Sequence, residues 1–377
     1  MPTVSAFDQA MMAKALQLAA KGTYSTHPNP RVGCVITLNG QIIASGWHRR
    51  AGEPHAEIDA LSSLPAGQAK DTTVYVTLEP CSHHGRTPPC SDALITAGVK
   101  RVVIAMEDPN PLVAGKGIKY LQAAGIDVVC CVLETEAKAL NPGFIKRMCE
   151  GLPYVRCKVA MSMDGATAME NGESQWITSS AARVDVHKYR AKSAAIITGI
   201  GTVLADDPSL NVRLTQAQLP EIAEQKIPPI RVLLDSHLQI PLTAKLLHTK
   251  GKVIIVHSTG AAIDQQRSLK EKGIELWEVE SDRAGKINLT AVLKKLARAE
   301  VNDVLIEAGA TLAGAFLADH LIDELIIYTA PVLMGSQTRP AFLTPQWTSM
   351  TDKVTLKIAD WRQVGDDWRL IAYPVYN

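Results

Sequence analysis

The chain has 377 residues, more than one hydrophobic core usually serves, so two domains are expected. Lys and Arg total 39 against 38 Asp and Glu, a net charge of +1, which leaves no basic footprint for a nucleic-acid partner. No stretch approaches the ~20 apolar residues that span a bilayer, so the expectation is a soluble, cytoplasmic protein without a membrane partner.

Residues 6–22, AFDQAMMAKALQLAAKG, have the apolar content of a signal peptide. Yet Asp8, Gln9, Lys14 and Gln17 recur at helical spacing, which predicts an amphipathic first helix over 8–21. Two strand-like runs follow around Asn39-Gly40, a hairpin dipeptide, within 32–48. The spacing then predicts a helix from Pro54 to Leu61, a strand over 73–78, a helix from Cys90 to Ala97 stopped by Gly98, and a strand over 101–106. A helix over 117–125 and a strand over 126–133 complete an α/β alternation. Residues 141–153 carry two Pro and two Gly, and the domain boundary is placed near 150, giving domains 1–150 and 151–377. The second half alternates again, with strands near 155–160, 194–199, 230–235, 252–257, 303–308 and 324–330. The polar segment 214–229 reads as a surface excursion, and no internal repeat appears.

Seven cysteines, an odd number without scaffold spacing, argue against a disulfide framework. Cys130, Cys131, Cys149 and Cys157 read as small buried apolar residues. Cys81 and Cys90 differ, because they lie in a polar loop beside histidines. Upstream, HAEIDAL (55–61) sets His55 and Glu57 near a helix start, and Cys90 immediately precedes another helix, where free backbone N–H groups favour a thiolate. His55, Cys81 and Cys90 can hold a zinc ion with one position open, and a carboxylate that is not a ligand, Glu57, can carry protons. The rival is a closed structural site with His83 or His84 as fourth ligand, which would leave Glu57 without a role.

H-A-E followed by P-C…C resembles the zinc deaminases, whose Glu is a proton shuttle. The whole string TLEPCSHHGRTPPC (77–90), with THPNPRVGCVI (26–36) and EDPNP (107–111), is similar to the deaminase domain of the bifunctional deaminase–reductases of riboflavin biosynthesis. That resemblance implies zinc on His55, Cys81 and Cys90, with Glu57 as catalytic shuttle. It implies that Asn29 hydrogen-bonds the pyrimidine and that His83, His84, Arg86 and Thr87 meet the pyrimidine or the ribose phosphate. Two other readings of the motif are a deaminase of nucleic-acid bases and a zinc-stabilised binding protein without catalysis. The near-zero charge, the long second half and the wide cysteine gap argue against the first.

In the second half, strand–turn–helix patterns at 197–208 and 304–317 are rich in Gly, but neither is G-x-G-x-x-G, so the residues alone name no cofactor. In order, KVAMSMDGATAM (158–169), GESQWITS (172–179), GIGTVLADDPSLNVR (199–213), LLDS (233–236) and IEAGATLAG (306–314) resemble the reductase half of the same family. The resemblance implies a dihydrofolate-reductase-like α/β domain using NADPH, beside a cytidine-deaminase-like α/β/α domain. Ala160, Trp176, Thr202, Asp206, Ser236 and the turn Gly309, Ala310, Thr311, Leu312, Ala313, Gly314 and Ala315 would meet the cofactor. Lys158, Ser174, Arg190, Leu210, Arg213 and Glu307 would contact the ribose or its phosphate. A phosphorylated pyrimidine substrate and a homo-oligomer, dimer or tetramer, are the implied partners.

Overall fold

A computed structural model describes residues 4–82, 88–111, 113–224, 227–281, 285–345 and 347–376. The chain forms two units, Met1–Gly151 and Leu152–Asn377.

In the first unit Ser5 starts α1 (Ala6–Ala20): its hydroxyl accepts the Asp8 N–H, and the Asp8 carboxylate accepts the Ser5 N–H. Next come β1 (Gly33–Leu38) and β2 (Gln41–Trp47), with φ of 50° at Asn39 and 77° at Gly40, as a two-residue hairpin turn demands. They are followed by α2 (Ala56–Ser62), β3 (Thr73–Val76), α3 (Cys90–Thr96), β4 (Arg101–Ile104), α4 (Lys116–Ala123), β5 (Asp127–Val129), α5 (Glu134–Leu140) and α6 (Pro142–Glu150). The sheet order is β2-β1-β3-β4-β5, antiparallel around β1 and parallel from β3 to β5. Strands β1, β3 and β4 are buried almost throughout, because helices cover the sheet. Two glycines permit that cover. A Cβ on Gly33 would stand 2.0 Å from the Ala15 carbonyl oxygen of α1, and one on Gly46 would stand 2.5 Å from the Ala60 nitrogen of α2.

Several expectations need correction here. α2 begins at Ala56, not Pro54, because His55 keeps an extended backbone (ψ 162°) as the capping residue. β5 ends at Val129: Cys131 turns into the left-handed region (φ 68°) and is exposed, so it is not a core residue. Cys149 is exposed as well, whereas Cys157 is buried as expected. The Pro- and Gly-containing stretch after 141 is mostly helix α6, with Pro142 in its first turn and Gly151 as a left-handed stop.

The second unit runs β6 (Tyr154–Ser162), β7 (Ala166–Met169), α7 (Ser180–Lys192), β8 (Ala195–Gly199), α8 (Ile200–Asp206), β9 (Ile230–Leu234), α9 (Lys245–His248), β10 (Val253–His257), α10 (Ile263–Glu271), β11 (Glu275–Glu278), α11 (Leu289–Arg298), β12 (Asp303–Glu307), α12 (Ala310–Ala318), β13 (Glu324–Ala330), β14 (Thr338–Pro340), β15 (Thr355–Val364) and β16 (Asp367–Val375). Its main sheet has the order β11-β10-β9-β8-β12-β6-β13-β16-β15. It is parallel from β11 to β13, and β16 and β15 add an antiparallel edge. Apolar clusters pack on both faces of the parallel part. That arrangement sets the ends of β6, β8, β9 and β12 side by side, the edge at which open α/β sheets bind ligands.

Candidate functional sites

Three donors converge in the first unit. The His55 side chain makes no capping bond to α2, so its imidazole is free to face the loop after β3. Its Nδ1 lies 3.7 Å from Cys81 Sγ and 3.3 Å from Cys90 Sγ, and all three donor atoms fall within 4.8 Å of one another. A tetrahedral zinc with bonds of about 2.3 Å to sulfur and about 2.0 Å to nitrogen sets such N···S edges near 3.5 Å, so the donor set fits that ion. The Cys90 N–H donates to Cys81 Sγ at 3.3 Å, and the Cys81 carbonyl accepts both the Ser91 N–H (3.2 Å) and the Ser91 hydroxyl (2.9 Å). These bonds lock the two cysteine segments in register.

A hydrogen bond from Cys90 holds the Cys81 thiol down at about 4, and the same bond, with burial and the Glu57 charge, pushes Cys90 up. A bound dication would release the Cys90 proton, since thiolate is the ligand form. Glu57 sits in the first turn of α2, buried, within hydrogen-bonding reach of Cys90, and does not belong to the donor cluster. Burial pushes its carboxyl up to about 7, against the opposing pull of His55. A carboxyl near neutrality is suited to both taking and giving a proton.

Asn29 and His48 form a second layer. Asn29 Nδ2 lies 3.0 Å from His48 Nε2, while His48 Nδ1 lies 3.0 Å from the Pro54 carbonyl, and the His48 ring meets the His55 ring edge-on. These partners favour the neutral imidazole with its proton on Nδ1, and burial lowers its pKa in the same sense. Asn29 is itself half-buried near the donors. His83, His84, Arg86 and Thr87 lie outside the described residues.

In the second unit, the Lys158 and Glu307 backbones pair across β6 and β12. Arg190 of α7 binds Glu307 through two bonds, Nε–Oε1 at 2.5 Å and Nη2–Oε2 at 2.8 Å, and its Nη1 donates to the Asn211 carbonyl at 3.0 Å. Burial alone would raise the Glu307 carboxyl, but Arg190 and Lys158 outweigh it and hold it down. Lys158 is lowered by desolvation although Glu307 opposes the shift. Arg213 Nη1 donates to Ser209 Oγ (2.8 Å) and Asn211 Oδ1 (3.1 Å), and its N–H donates to His187 Nδ1 (3.2 Å). Leu210 is buried with φ 48°, and that left-handed turn brings Asn211 and Arg213 back onto α7. Lys158, Arg190, Arg213 and Glu307 are thus one cluster, and His187 belongs to it although nothing in the sequence singled it out. Burial, then Arg190 and Arg213, push His187 down to about 4, so it is a neutral imidazole among cations.

Beside that cluster the Gly309 N–H donates to Thr202 Oγ1 at 3.3 Å, which joins the starts of α8 and α12. Gln175 Nε2 reaches Asp206 Oδ1 at 3.4 Å, bringing the 172–179 segment to the same edge. Trp176 is exposed and stacks on Arg183, and Ser174 is half-buried beside it in sequence. Ser236 follows β9 on that edge, and its carbonyl accepts the Ser258 N–H at 3.1 Å. Ala160 lies two residues beyond Lys158 on β6. From Gly309 to Ala315 the chain enters α12, and a Cβ on Gly314 would stand 2.0 Å from the Leu343 carbonyl oxygen.

A thiolate–imidazole donor set with a buried carboxyl, joined in one chain to a parallel-sheet unit with a polar edge, is the layout of a metal-dependent hydrolytic centre coupled to a second, ligand-binding α/β unit. Comparison with known proteins carries this further. Residues 5–106 match the cytidine and deoxycytidylate deaminase zinc-binding region, and residues 153–370 match the RibD C-terminal domain. The Escherichia coli riboflavin biosynthesis protein RibD is 46% identical over 96% of this chain and 97% of its own length. The Haemophilus influenzae RibD is 45% identical over 98% of each. Among solved structures, Acinetobacter baumannii RibD superposes with a TM-score of 0.89 at 46% identity, covering 98% of this chain and 99% of that one. A Thermotoga maritima diaminohydroxyphosphoribosylaminopyrimidine deaminase/5-amino-6-(5-phosphoribosylamino)uracil reductase gives 0.83 at 31% identity, covering 98% and 99%. The chain belongs to the RibD family: it is a bifunctional deaminase and reductase of riboflavin biosynthesis, with a cytidine-deaminase-like first domain and a dihydrofolate-reductase-like second domain. Among the described residues no helix is long and apolar enough to cross a membrane.

Proposed function

We propose that the first unit hydrolytically deaminates 2,5-diamino-6-ribosylamino-4(3H)-pyrimidinone 5′-phosphate at C2, and that the second reduces the ribosyl group of the product to ribityl with NADPH. The observation that carries this reading is the convergence of His55, Cys81 and Cys90 beside a buried Glu57. His55, Cys81 and Cys90 would hold a zinc ion, which would supply a water acidified to a pKa of about 7. Glu57 takes the proton of the attacking water, passes it to the ring nitrogen, and returns a second proton to the departing amine, which leaves as ammonia. Asn29, oriented by His48, hydrogen-bonds the pyrimidine edge. The loop residues His83, His84, Arg86 and Thr87 complete the contacts to pyrimidine and ribose phosphate.

For the second step a bound NADPH would supply the hydride that, with a proton to nitrogen, reduces the C1′=N bond of the opened imine to the amine. The chain's contribution is positioning. Ala160, Trp176, Thr202, Asp206, Ser236 and the 309–315 turn hold the cofactor along the strand-end edge, while Arg190, Arg213 and Lys158 with Ser174, Leu210 and Glu307 hold the phosphorylated ribose. An α12 start opened by Gly309 offers free N–H groups to phosphate. The domain assignment is 1–150 for deamination and 151–377 for reduction. A homo-oligomer is part of the same reading, supported by Ile358, Trp361 and Trp368 exposed on the β15–β16 edge, with sedimentation as the check.

The decisive experiment is Glu57→Gln. Zinc content and folding should persist while deamination falls by about 10²–10⁴. Wild-type deamination by that variant would sink the mechanism. NADPH oxidation should require the deaminated product and exceed NADH oxidation; equal use of both dinucleotides would overturn the cofactor assignment.

A further inference from the structure

Glu79 ends the strand-to-loop segment two residues before Cys81, and it is only 4% exposed. A buried carboxylate needs partners for its lone pairs. Among the described residues its hydrogen-bond partners are backbone amides. Oε1 accepts the N–H groups of Gly117 (2.7 Å) and Ile118 (3.2 Å), and Oε2 accepts those of Gly115 (2.9 Å) and Asp108 (3.0 Å). Four donors fill the four acceptor positions that a carboxylate offers.

The bonds have a local cause. α4 is preceded by Gly115 in the left-handed region (φ 72°), a capping residue with no side chain to satisfy the first-turn amides. A carboxylate from the end of a different strand does so instead, on the favourable side of the helix dipole. The neighbouring backbone is clamped as well. The Glu79 N–H donates to the Met106 carbonyl at 3.0 Å, and a Cβ on Gly117 would stand 2.2 Å from the Pro80 carbonyl oxygen. Pro80 is therefore pressed against α4 on one side, and Cys81 is tied to Ser91 and Cys90 on the other.

We propose that Glu79 is a positioning residue of the deaminase: by pinning the Glu79–Pro80–Cys81 backbone to the start of α4 and to Asp108, it fixes where the Cys81 sulfur stands relative to His55 and Cys90. The inference rests on the reading of those three residues as metal ligands. Partners that orient a ligand from behind typically change metal affinity or activity by about 10–100-fold when removed.

The test uses the full chain with Glu79→Gln and Glu79→Ala. Gln keeps one carbonyl oxygen for two amides and turns an NH₂ toward the other two. Zinc affinity is measured by competition with a chelator, geometry by the thiolate-to-cobalt charge-transfer band of the Co²⁺-substituted protein, and both activities are followed. The expected result is zinc affinity and deaminase kcat lowered by about 10–100-fold, a shifted cobalt band, and an unchanged reductase. If neither variant folds, Gly117→Ala retains the Glu79 carboxylate but sets a Cβ 2.2 Å from the Pro80 carbonyl oxygen and 3.1 Å from Glu79 Oε1, so it presses on the same clamp and should weaken zinc binding in the same direction. A folded Glu79→Gln protein with wild-type zinc affinity and cobalt spectrum overturns the inference, as does lower thermal stability with the metal site unaltered. Wild-type protein that binds no zinc would instead remove the metal reading itself.

Discussion

Arg190 and Glu307 show how a single pair of side chains can be read as structure or as function. The carboxylate is nearly buried, and the two-point bond to Arg190 is what keeps it charged there. Removing Arg190 alone leaves a buried charge without its partner, at a cost of about 3–5 kcal/mol. Replacing both with Leu removes the charge with its partner and should return most of that stability. Reductase activity should be lost in the single and the double variant alike, with deamination retained. A double variant that reduces substrate normally would show the pair to be only structural. Asp8 is the matching case in the first unit: it binds Arg101 through Oδ1 (2.6 Å) and Oδ2 (3.2 Å) and accepts the Tyr75 hydroxyl at 2.9 Å. Burial would raise its carboxyl, but Arg101, Ser5 and Tyr75 together hold it well below 3.8. A carboxyl depressed in the folded state adds stability above its unfolded pKa, and that stability fades as pH falls from about 4 toward the folded value. Thermal melts should therefore show Asp8→Asn less stable than wild type at pH 7 by about 2 kcal/mol, with the gap closing below pH 4. A gap that stays constant to pH 2 would contradict the assignment.

Among elements, α2 carries Glu57 and is preceded by its capping residue His55, and its distance from the sheet is set by Gly46. A Cβ there would meet backbone atoms of Ala60 and Ala56 at 2.5 and 2.6 Å, and a backbone cannot give way as a side-chain tip can. Gly46→Ala should cost about 1–3 kcal/mol and lower deamination far more than reduction; equal losses in both activities would argue against a role through α2. The same elements show what a sequence discloses. The convergence of His55, Cys81 and Cys90 near a buried Glu57 was legible because a hydrolytic metal centre would need those residue types in a helix-start and loop context, which local patterns report. The β1–β2 turn was legible because Asn-Gly is among the few dipeptides that accept positive φ at both central positions. Cys131 was misread: an apolar run looks like strand until a left-handed residue ends it, and nothing local announces that turn. His187, Asn211 and Glu79 were not found, since their roles depend on partners 26, 21 and 29–39 residues away. β15 and β16 went unseen for a related reason: they form an edge whose exposed Trp361 and Trp368 break the alternation that marks a half-buried strand.

At the scale of the whole molecule, each set of proposed functional groups belongs to one unit. His55, Glu57, Cys81 and Cys90 lie within Met1–Gly151, while Lys158, Arg190, Thr202, Glu307 and Gly309 lie within Leu152–Asn377. Each unit also owns its apolar clusters, one in the first and two in the second. A metal held on the proposed ligands His55, Cys81 and Cys90 would bind the folded first unit, so its binding free energy would add to the stability of that unit. Dialysis against a chelator should abolish deamination and lower the thermal transition of the first unit. Reduction of substrate that has already been deaminated should continue, and the transition of the second unit should stay in place. Returning zinc should restore both the activity and the transition that were lost. If reduction disappeared in step with zinc, the second site would depend on the metal, and the separation of the two chemistries between the units would have to be abandoned.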